Sequence, residues 1–238
     1  MSYIWVMGYL YTAIGFSIGG GIAWGIKGFQ KKIDFIYSVC AGLTIGLLSF
    51  EIAPEAIELG NWITFILGFL VGIIMFEVAH KILKILLGTT ISQDKSFSLQ
   101  TGILLILSIS FHNLPIGIVL GSTKDTSLDF SMLQAILLHN IPEGIIVFTP
   151  LFVAGLGVWS WLFFSLMVAA PVGIGAYFGS TLDIGHPLVL SFSISLAVGT
   201  IYMVIVKEVI LGAIKDTSQV LLIAIISFGC IGFYFLLL

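Results

Sequence analysis

The sequence contains no arginine, and charged residues of any kind make up only 9% of its 238 residues. Arginine is the side chain that holds phosphate and carboxylate groups through two parallel hydrogen bonds, so its absence argues against nucleic acids and organic anions as ligands. So few charges also exclude a water-soluble domain of this length, because they could not cover its surface. With 59% hydrophobic residues, the composition indicates a polytopic membrane protein.

Cysteine is also scarce, with two residues in the chain. Cys40 and Cys230 lie far apart in apolar stretches and form no CxxC motif, so the sequence predicts two packing residues and no disulfide framework.

The amino-terminal stretch MSYIWVMGYLYTAIG has no basic residue before its apolar part and no clear cleavage site. It is interpreted as a first membrane span that is retained, not as a signal peptide.

Apolar segments that are long enough to cross a bilayer follow one another along the chain. A helix needs roughly 20 apolar residues to cross the hydrocarbon core. The sequence therefore predicts an all-α membrane protein with eight transmembrane helices in a single polytopic domain over residues 1–238. The predicted spans are residues 3–26, 33–53, 62–87, 99–122, 131–152, 158–180, 186–211 and 218–238.

The lysines predict the orientation of these spans. Eight of them fall around the links after spans 1, 3 and 7, namely Lys27, Lys31, Lys32, Lys81, Lys84, Lys95, Lys207 and Lys215, whereas Lys124 falls on the other side. Because positive residues concentrate in cytoplasmic links, we expect the links after odd-numbered spans to be cytoplasmic and both termini to face outward in the cell membrane. Lys81, Lys84 and Lys207 lie near predicted span ends, where long side chains can extend to the interface.

Two similar polar motifs interrupt the predicted spans 4 and 5. SFHNLPIGIVLG (110–121) contains His112 and Asn113, and LLHNIPEGIIVF (137–148) contains His139, Asn140 and Glu143. An ionisable residue in the middle of a membrane costs about 2.5–3.5 kcal/mol on insertion scales, which favours a functional role. His139 and Glu143 are four residues apart and share one face of a helix, so both can bind one cation.

A proline follows each histidine of the two motifs. Pro115 and Pro142 cannot donate to the carbonyls of Phe111 and Leu138, so each helix is predicted to kink and break there and to free a carbonyl toward a polar cavity. If spans 4 and 5 are antiparallel neighbours, His112 then faces His139 and Glu143. Two imidazoles and one carboxylate suit Zn²⁺ best and also accept Fe²⁺, Mn²⁺ or Cd²⁺.

At these residues the chain resembles the ZIP (Zrt-, Irt-like protein) family of divalent-metal transporters, most closely its bacterial branch. The motifs HNLPIG and HNIPEG resemble those of the family's fourth and fifth helices, and SFEIAPEAIELG (49–60) is similar to the end of its second helix. The resemblance implies two inverted three-helix repeats, spans 1–3 and 6–8, around the central pair of spans 4 and 5. It also implies a homodimer.

The resemblance assigns roles to individual residues. It implies that His112, His139 and Glu143 line one metal position, where Ile116 replaces a glutamate of the family. It also implies that Asn113 and Asn140 belong to a second position, which in the family is completed by that glutamate and by another one before a proline in the sixth helix. Here Ala170 precedes Pro171. With two carboxylates missing, we expect one mononuclear metal site.

Five further residues are possible positions along the path of the ion. Glu51 and Glu55 near the outer end of span 2 either form an entrance or are solvated carboxylates at a helix end. Glu77 and His80 on span 3 either bind metal toward the cytoplasm or belong to a solvated helix end. Glu208, next to Lys207, resembles an acidic position of the family's seventh helix and is either an exit ligand or half of an ion pair.

Three functions are compatible with these residues. The favoured one is inward transport of a divalent cation, Zn²⁺ or a similar ion, with no enzymatic activity. A second is a membrane protein that binds metal without transporting it, as a sensor or regulator, which the replacements at Ile116 and Ala170 support. A third is an intramembrane metalloenzyme with Glu143 as general base, which is disfavoured because the sequence has no HExxH motif.

Overall fold

The computed structural model describes residues 3–26, 33–87, 95–122, 126–182, 186–210 and 219–237, and every regular element within these residues is a helix. Eight helical spans follow one another, which we number span 1 to span 8. They are Ile4–Ile26, Ile33–Leu59, Trp62–Leu87, Lys95–Ser122, Thr126–Val153, Val158–Thr181, Pro187–Ile210 and Gln219–Leu237. Two of these, spans 2 and 7, contain a π-helical segment.

The observed spans lie close to the predicted ones, because apolar length decides where a helix can cross a membrane. Seven of the described helices are long and apolar enough to cross, and span 8 contributes a shorter apolar stretch, Ile223–Gly232. The main differences are at the ends. Span 2 continues to Leu59, and spans 4 and 5 begin at Lys95 and Thr126, several residues before the predicted starts.

The prolines of the two motifs do not break their helices, so the predicted breaks are wrong, whereas the kinks stay a prediction. Span 4 is α-helical through Pro115, and span 5 is α-helical through Pro142. A proline removes one backbone hydrogen bond, but inside a membrane bundle the neighbouring helices hold the chain in place, and a single lost bond is tolerated.

Irregular helix is found instead in spans 2 and 7. In span 2 the segment Leu48–Ile52 is π-helical, and the backbone N–H of Ala53 donates to the carbonyl of Leu48, five residues earlier. The next residue is Pro54, which has no N–H to continue the α-helical pattern. In span 7 the segment Ile205–Ile210 is also π-helical. Such segments often mark functional sites.

The spans pack in two groups. Spans 1, 4, 5 and 6 form one group, in which span 1 packs against spans 5 and 6 and span 4 packs against span 6. Spans 2, 3, 7 and 8 form the other, in which span 3 packs against span 7 and span 2 against span 8. The two groups meet where span 4 contacts span 7 and where span 2 contacts span 5.

Glycines bring span 1 into backbone contact with span 5 beside the second motif. A Cβ atom added at Gly15 would lie 2.7 Å from the carbonyl oxygen of Leu137, and one added at Gly144 would lie 2.7 Å from that of Phe16. Glycine permits this approach because it has no side chain, and close approach is the main source of helix association in lipid. Span 1 therefore fixes the position of the motif that carries Asn140 and Glu143.

Candidate metal centre

The five motif residues are buried where spans 4 and 5 pass each other. The exposed fraction is 0% for His112, Asn113 and Asn140, 3% for Glu143 and 7% for His139. Spans 4 and 5 contact each other, as the pairing of the motifs requires. Polar side chains at this depth lose their hydration, which costs free energy unless hydrogen bonds or a bound cation replace it.

One pair of candidate ligands from the two spans is in close proximity. The Nε2 atom of His112 lies 3.6 Å from Oε1 of Glu143, so the imidazole of the first motif faces the carboxylate of the second. This distance is longer than a hydrogen bond, and neither atom has another hydrogen-bond partner. The arrangement leaves lone pairs of both groups available to a cation.

The two asparagines are held by their amide nitrogens. Asn113 Nδ2 donates to the carbonyl of Val168 in span 6 at 2.9 Å, and Asn140 Nδ2 donates to the carbonyl of Ile136 one turn earlier at 2.5 Å. The Oδ1 atom of each side chain is buried without a hydrogen-bond partner. Amide oxygens of this kind are ligands for hard and borderline cations.

His139 lies on the wall of a half-open cavity. This cavity has a volume of about 60 Å³ and lies between spans 2, 4, 5 and 7. Its lining also includes Glu55 of span 2 and Ile116 of span 4, and is otherwise apolar. The cavity is thus bordered by Glu55, by the motif histidine and by the isoleucine that stands where the resemblance implies a glutamate.

The predicted three-ligand set is not assembled in these side-chain positions. Among the residues that the structure describes, no three His, Cys, Asp or Glu side chains lie close enough together to hold one ion. His112 is paired with Glu143, whereas His139 faces the cavity. The set of His112, His139 and Glu143 thus stays a prediction, which requires side-chain rotation when the ion binds.

The possible pathway residues differ in their surroundings. Glu51 lies in the π-helical segment of span 2, and Glu55 lines the cavity that reaches His139. Both residues therefore lie in the part of span 2 that borders this cavity, and their role as an entrance stays a prediction. Glu208 lies in the π-helical segment of span 7, and its side chain lies outside the described residues.

Glu77 forms an ion pair that the sequence did not predict. Its partner is Lys207 of span 7, and about a third of each side chain is exposed, so both readings of Glu77, a metal ligand or part of a solvated helix end, stay predictions. His80 is only 7% exposed, and its ring packs against that of Phe76 with centroids 5.4 Å apart. The helix continues to Leu87, which places both residues well before its end.

Two structural partners of the site were also absent from the sequence reasoning. The carbonyl of Val168 orients Asn113, and a hydrogen bond joins Ser49 of the first π-helical segment to Tyr202 of span 7. Val168 and Tyr202 belong to no motif, whereas Ser49 begins the SFEIAPEAIELG segment (49–60). That segment, which also contains Pro54, was the sequence signal near the first of the π-helical segments.

Two comparisons with known proteins find similar sequences. A family model described as "ZIP Zinc transporter" matches residues 89–238, a stretch that contains spans 4 to 8. An Arabidopsis thaliana protein named "Putative zinc transporter At3g08650" is 25% identical in an alignment of 189 residues that covers 76% of this chain and 30% of that protein. The chain thus covers less than a third of the length of this relative.

The family model covers more than half of the chain and includes both motifs, all five buried motif residues and the π-helical segment of span 7. The chain belongs to the ZIP family of zinc transporters.

Proposed function

We propose that the protein transports a divalent metal cation across a membrane, and that the ion passes through a single position formed by His112, His139 and Glu143. The observation that carries this proposal is the pair of buried groups, His112 and Glu143, which face each other at 3.6 Å with no hydrogen-bond partner on the facing atoms. Buried polar atoms without partners are rare, and a bound cation would satisfy them.

The ion enters by the route that the cavity marks. Glu55 attracts it at one end, and the apolar wall with Ile116 admits it only after much of its water is lost. His139, at the other end, replaces lost water with an imidazole nitrogen, and rotation of the side chains adds His112 and Glu143. In these steps the ion exchanges its water ligands for protein ligands one at a time.

Zinc fits this ligand set best. Two imidazoles and one carboxylate form a borderline set that zinc commonly uses in proteins, and Fe²⁺, Mn²⁺ and Cd²⁺ are weaker alternatives. The name of the Arabidopsis relative also includes zinc. Because Ile116 and Ala170 supply no oxygen, we infer one ion per chain, moved inward if the lysine-rich links face the cytoplasm.

A second candidate function is binding without transport. It is favoured by one observation, the apolar Ile116 on the cavity wall beside His139, since a hydrophobic constriction also excludes ions. An intramembrane metalloenzyme is disfavoured, because the family to which the chain belongs consists of transporters. A flux measurement separates the first two functions.

The proposal is tested with purified protein in liposomes that contain a zinc-sensitive dye. We expect external zinc to enter wild-type liposomes faster than protein-free ones, and Glu143→Gln to remove most of this flux. The control is Glu58→Gln, which removes a carboxylate that lines a separate surface cavity with Trp62 and not the one at His139. Zinc binding without flux in the wild type would favour the second function, and neither binding nor flux would contradict both.

A further inference from the structure

An open cavity lies where spans 2, 3 and 7 meet at the surface of the second helix group. Its volume is about 520 Å³, which falls within the range of about 300–1,000 Å³ that is typical of ligand cavities. The wall is mostly apolar and aromatic, and it includes none of the five motif residues. The cavity is therefore separate from the candidate metal centre.

Four aromatic rings line this cavity in a continuous row. Trp62, Phe65 and Phe69 lie on one face of span 3, and their ring centroids are 6.3 Å apart in the first pair and 5.9 Å apart in the second. The ring of Phe69 then contacts that of Tyr202 on span 7, with centroids 5.7 Å apart. Each ring is held by the next, so the row gives the cavity a fixed apolar wall.

The row of rings begins at the membrane interface and continues into the hydrocarbon core. Trp62 is the first residue of span 3, directly after the link that follows span 2. Its side chain is 65% exposed, and tryptophan is enriched where lipid headgroups meet lipid chains. Phe69 lies seven residues later, roughly 10 Å further along the helix axis. The cavity thus extends from the headgroup level to the level of the acyl chains.

The interface end of the cavity carries a negative charge. Glu58, in the last turn of span 2, is exposed and lines the cavity together with Trp62. The described residues of the wall include no lysine and no histidine, so the carboxylate has no positive partner within the cavity. A ligand that places an ammonium group here would complement the charge.

The other end of the cavity requires no polar ligand. The hydroxyl groups of Ser49 and Tyr202 line it, but they are hydrogen-bonded to each other. Ser49 also donates to the carbonyl of Ile45 at 2.7 Å. An apolar chain can therefore fill this end without leaving a polar group of the protein unsatisfied.

We propose that the cavity binds a phospholipid with an ethanolamine headgroup, whose ammonium contacts Glu58 and one of whose acyl chains lies along the rings of Trp62, Phe65 and Phe69. A primary ammonium donates hydrogen bonds to a carboxylate, whereas the methylated ammonium of a choline headgroup has no N–H to donate. An anionic headgroup is repelled by Glu58. The cavity thus selects one class of membrane lipid.

The test identifies the lipids that stay bound to the full chain. The protein is placed in nanodiscs of phosphatidylethanolamine, phosphatidylcholine and phosphatidylglycerol in equal amounts, transferred to detergent with a metal chelator, and studied by native mass spectrometry. We expect the wild type to retain phosphatidylethanolamine in preference to the other two lipids. Glu58→Gln should reduce its preference over phosphatidylcholine by about threefold, which is the size of effect that an exposed ion pair has.

A second variant tests the shape of the cavity. Ala53 is a small residue of the wall, so Ala53→Leu should occupy part of the space and lower the retention of all three lipids. If this variant does not fold, as judged by gel filtration, Ile57→Phe replaces it, since Ile57 also lines the cavity. The matched controls are Ala154→Leu, just after span 5, and Glu77→Gln, and neither residue is part of the wall. Both controls should retain lipid as the wild type does.

Three results would overturn the proposal. The first is equal retention of the three lipids, or of none, by the wild type. The second is a preference for phosphatidylethanolamine that Glu58→Gln leaves unchanged, and the third is retention that neither Ala53→Leu nor Ile57→Phe lowers. The experiment contains no zinc, so its outcome is independent of the proposed transport function.

Discussion

Ile116 and Ala170 are the two residues at which this chain differs most from what the ZIP resemblance implies. Ile116 is half-buried on the wall of the cavity that also contains His139, so a longer acidic side chain there would reach the same space. Ala170 lies on span 6, two residues after Val168, whose carbonyl holds Asn113. Ile116 therefore borders the cavity at His139, and we expect Ala170 to border the second ion position.

Restoring the two carboxylates should restore a second ion. We expect Ile116→Glu together with Ala170→Glu to raise bound zinc from about one to about two ions per chain, because two added carboxylates supply the charge that a second cation needs. Elemental analysis after dialysis measures this ratio. Each single variant is the control and should stay near one, and a folded double variant with unchanged stoichiometry would contradict the assignment of spans 4 and 6 to the site.

For single residues, the sequence predicted which motif residues to consider but not the contacts that they make. The repeated HNxPxG pattern singled out His112 and His139, and Glu143 within the second copy, because ionisable residues in apolar spans stand out. The structure buries all three, and their role as ligands stays a prediction. The partner of Lys207 was not predictable in this way. It depends on how span 3 packs against span 7, and nothing local in either segment encodes that contact.

The helices themselves show where sequence patterns suffice and where they do not. Span limits follow from apolar length and were predicted within a few residues at most ends. The irregular helical segments were not predicted from the sequence. Pro115 and Pro142 leave their helices intact, whereas Leu48–Ile52 and Ile205–Ile210 are π-helical. A π-turn is a small local difference that depends on packing from other spans, such as the contact of Ser49 with Tyr202.

The contact of span 1 with span 5 gives a prediction about stability. Gly144→Ala places a Cβ atom 2.7 Å from the carbonyl of Phe16, so the spans must separate, and we expect a loss of about 1–3 kcal/mol in unfolding free energy. Zinc affinity should fall as well, because Glu143 is the adjacent residue. Thermal unfolding followed by tryptophan fluorescence measures the first effect, and calorimetry measures the second.

Gly25→Ala is the matched control for this variant. Gly25 is on span 1, and no neighbouring atom lies within 4 Å of its added Cβ. Alanine there should be neutral or stabilising by up to about 1 kcal/mol, because glycine is a poor helix former. Equal effects of the two substitutions would contradict the close contact between spans 1 and 5.

The packing of the whole molecule supports an internal repeat. Suppose that span 1 corresponds to span 6, span 2 to span 7, span 3 to span 8 and span 4 to span 5. The contact between spans 1 and 5 then corresponds to the contact between spans 6 and 4. The contact between spans 2 and 8 corresponds in the same way to the contact between spans 7 and 3. The two π-helical segments also correspond to each other. The inversion of spans 1–3 relative to spans 6–8 stays a prediction, and so does the homodimer.

The orientation in the membrane is tested with single cysteines in a chain in which Cys40 and Cys230 are replaced by alanine. If the lysine-rich links are cytoplasmic, Glu58→Cys should react with an impermeant maleimide in intact cells. Gly157→Cys, in the link between spans 5 and 6, should react only after the membrane is opened. Both positions are exposed. The reverse pattern would invert the proposed topology and the direction of transport.

The central claim is that one zinc ion is held by His112, His139 and Glu143, and zinc-edge X-ray absorption of the loaded protein measures these ligands directly. We expect two imidazole nitrogens and at least one oxygen at about 2.0–2.2 Å, with one imidazole lost in His139→Ala and in His112→Ala. A zinc environment without imidazole in the wild type, or one that both substitutions leave unchanged, would contradict the account.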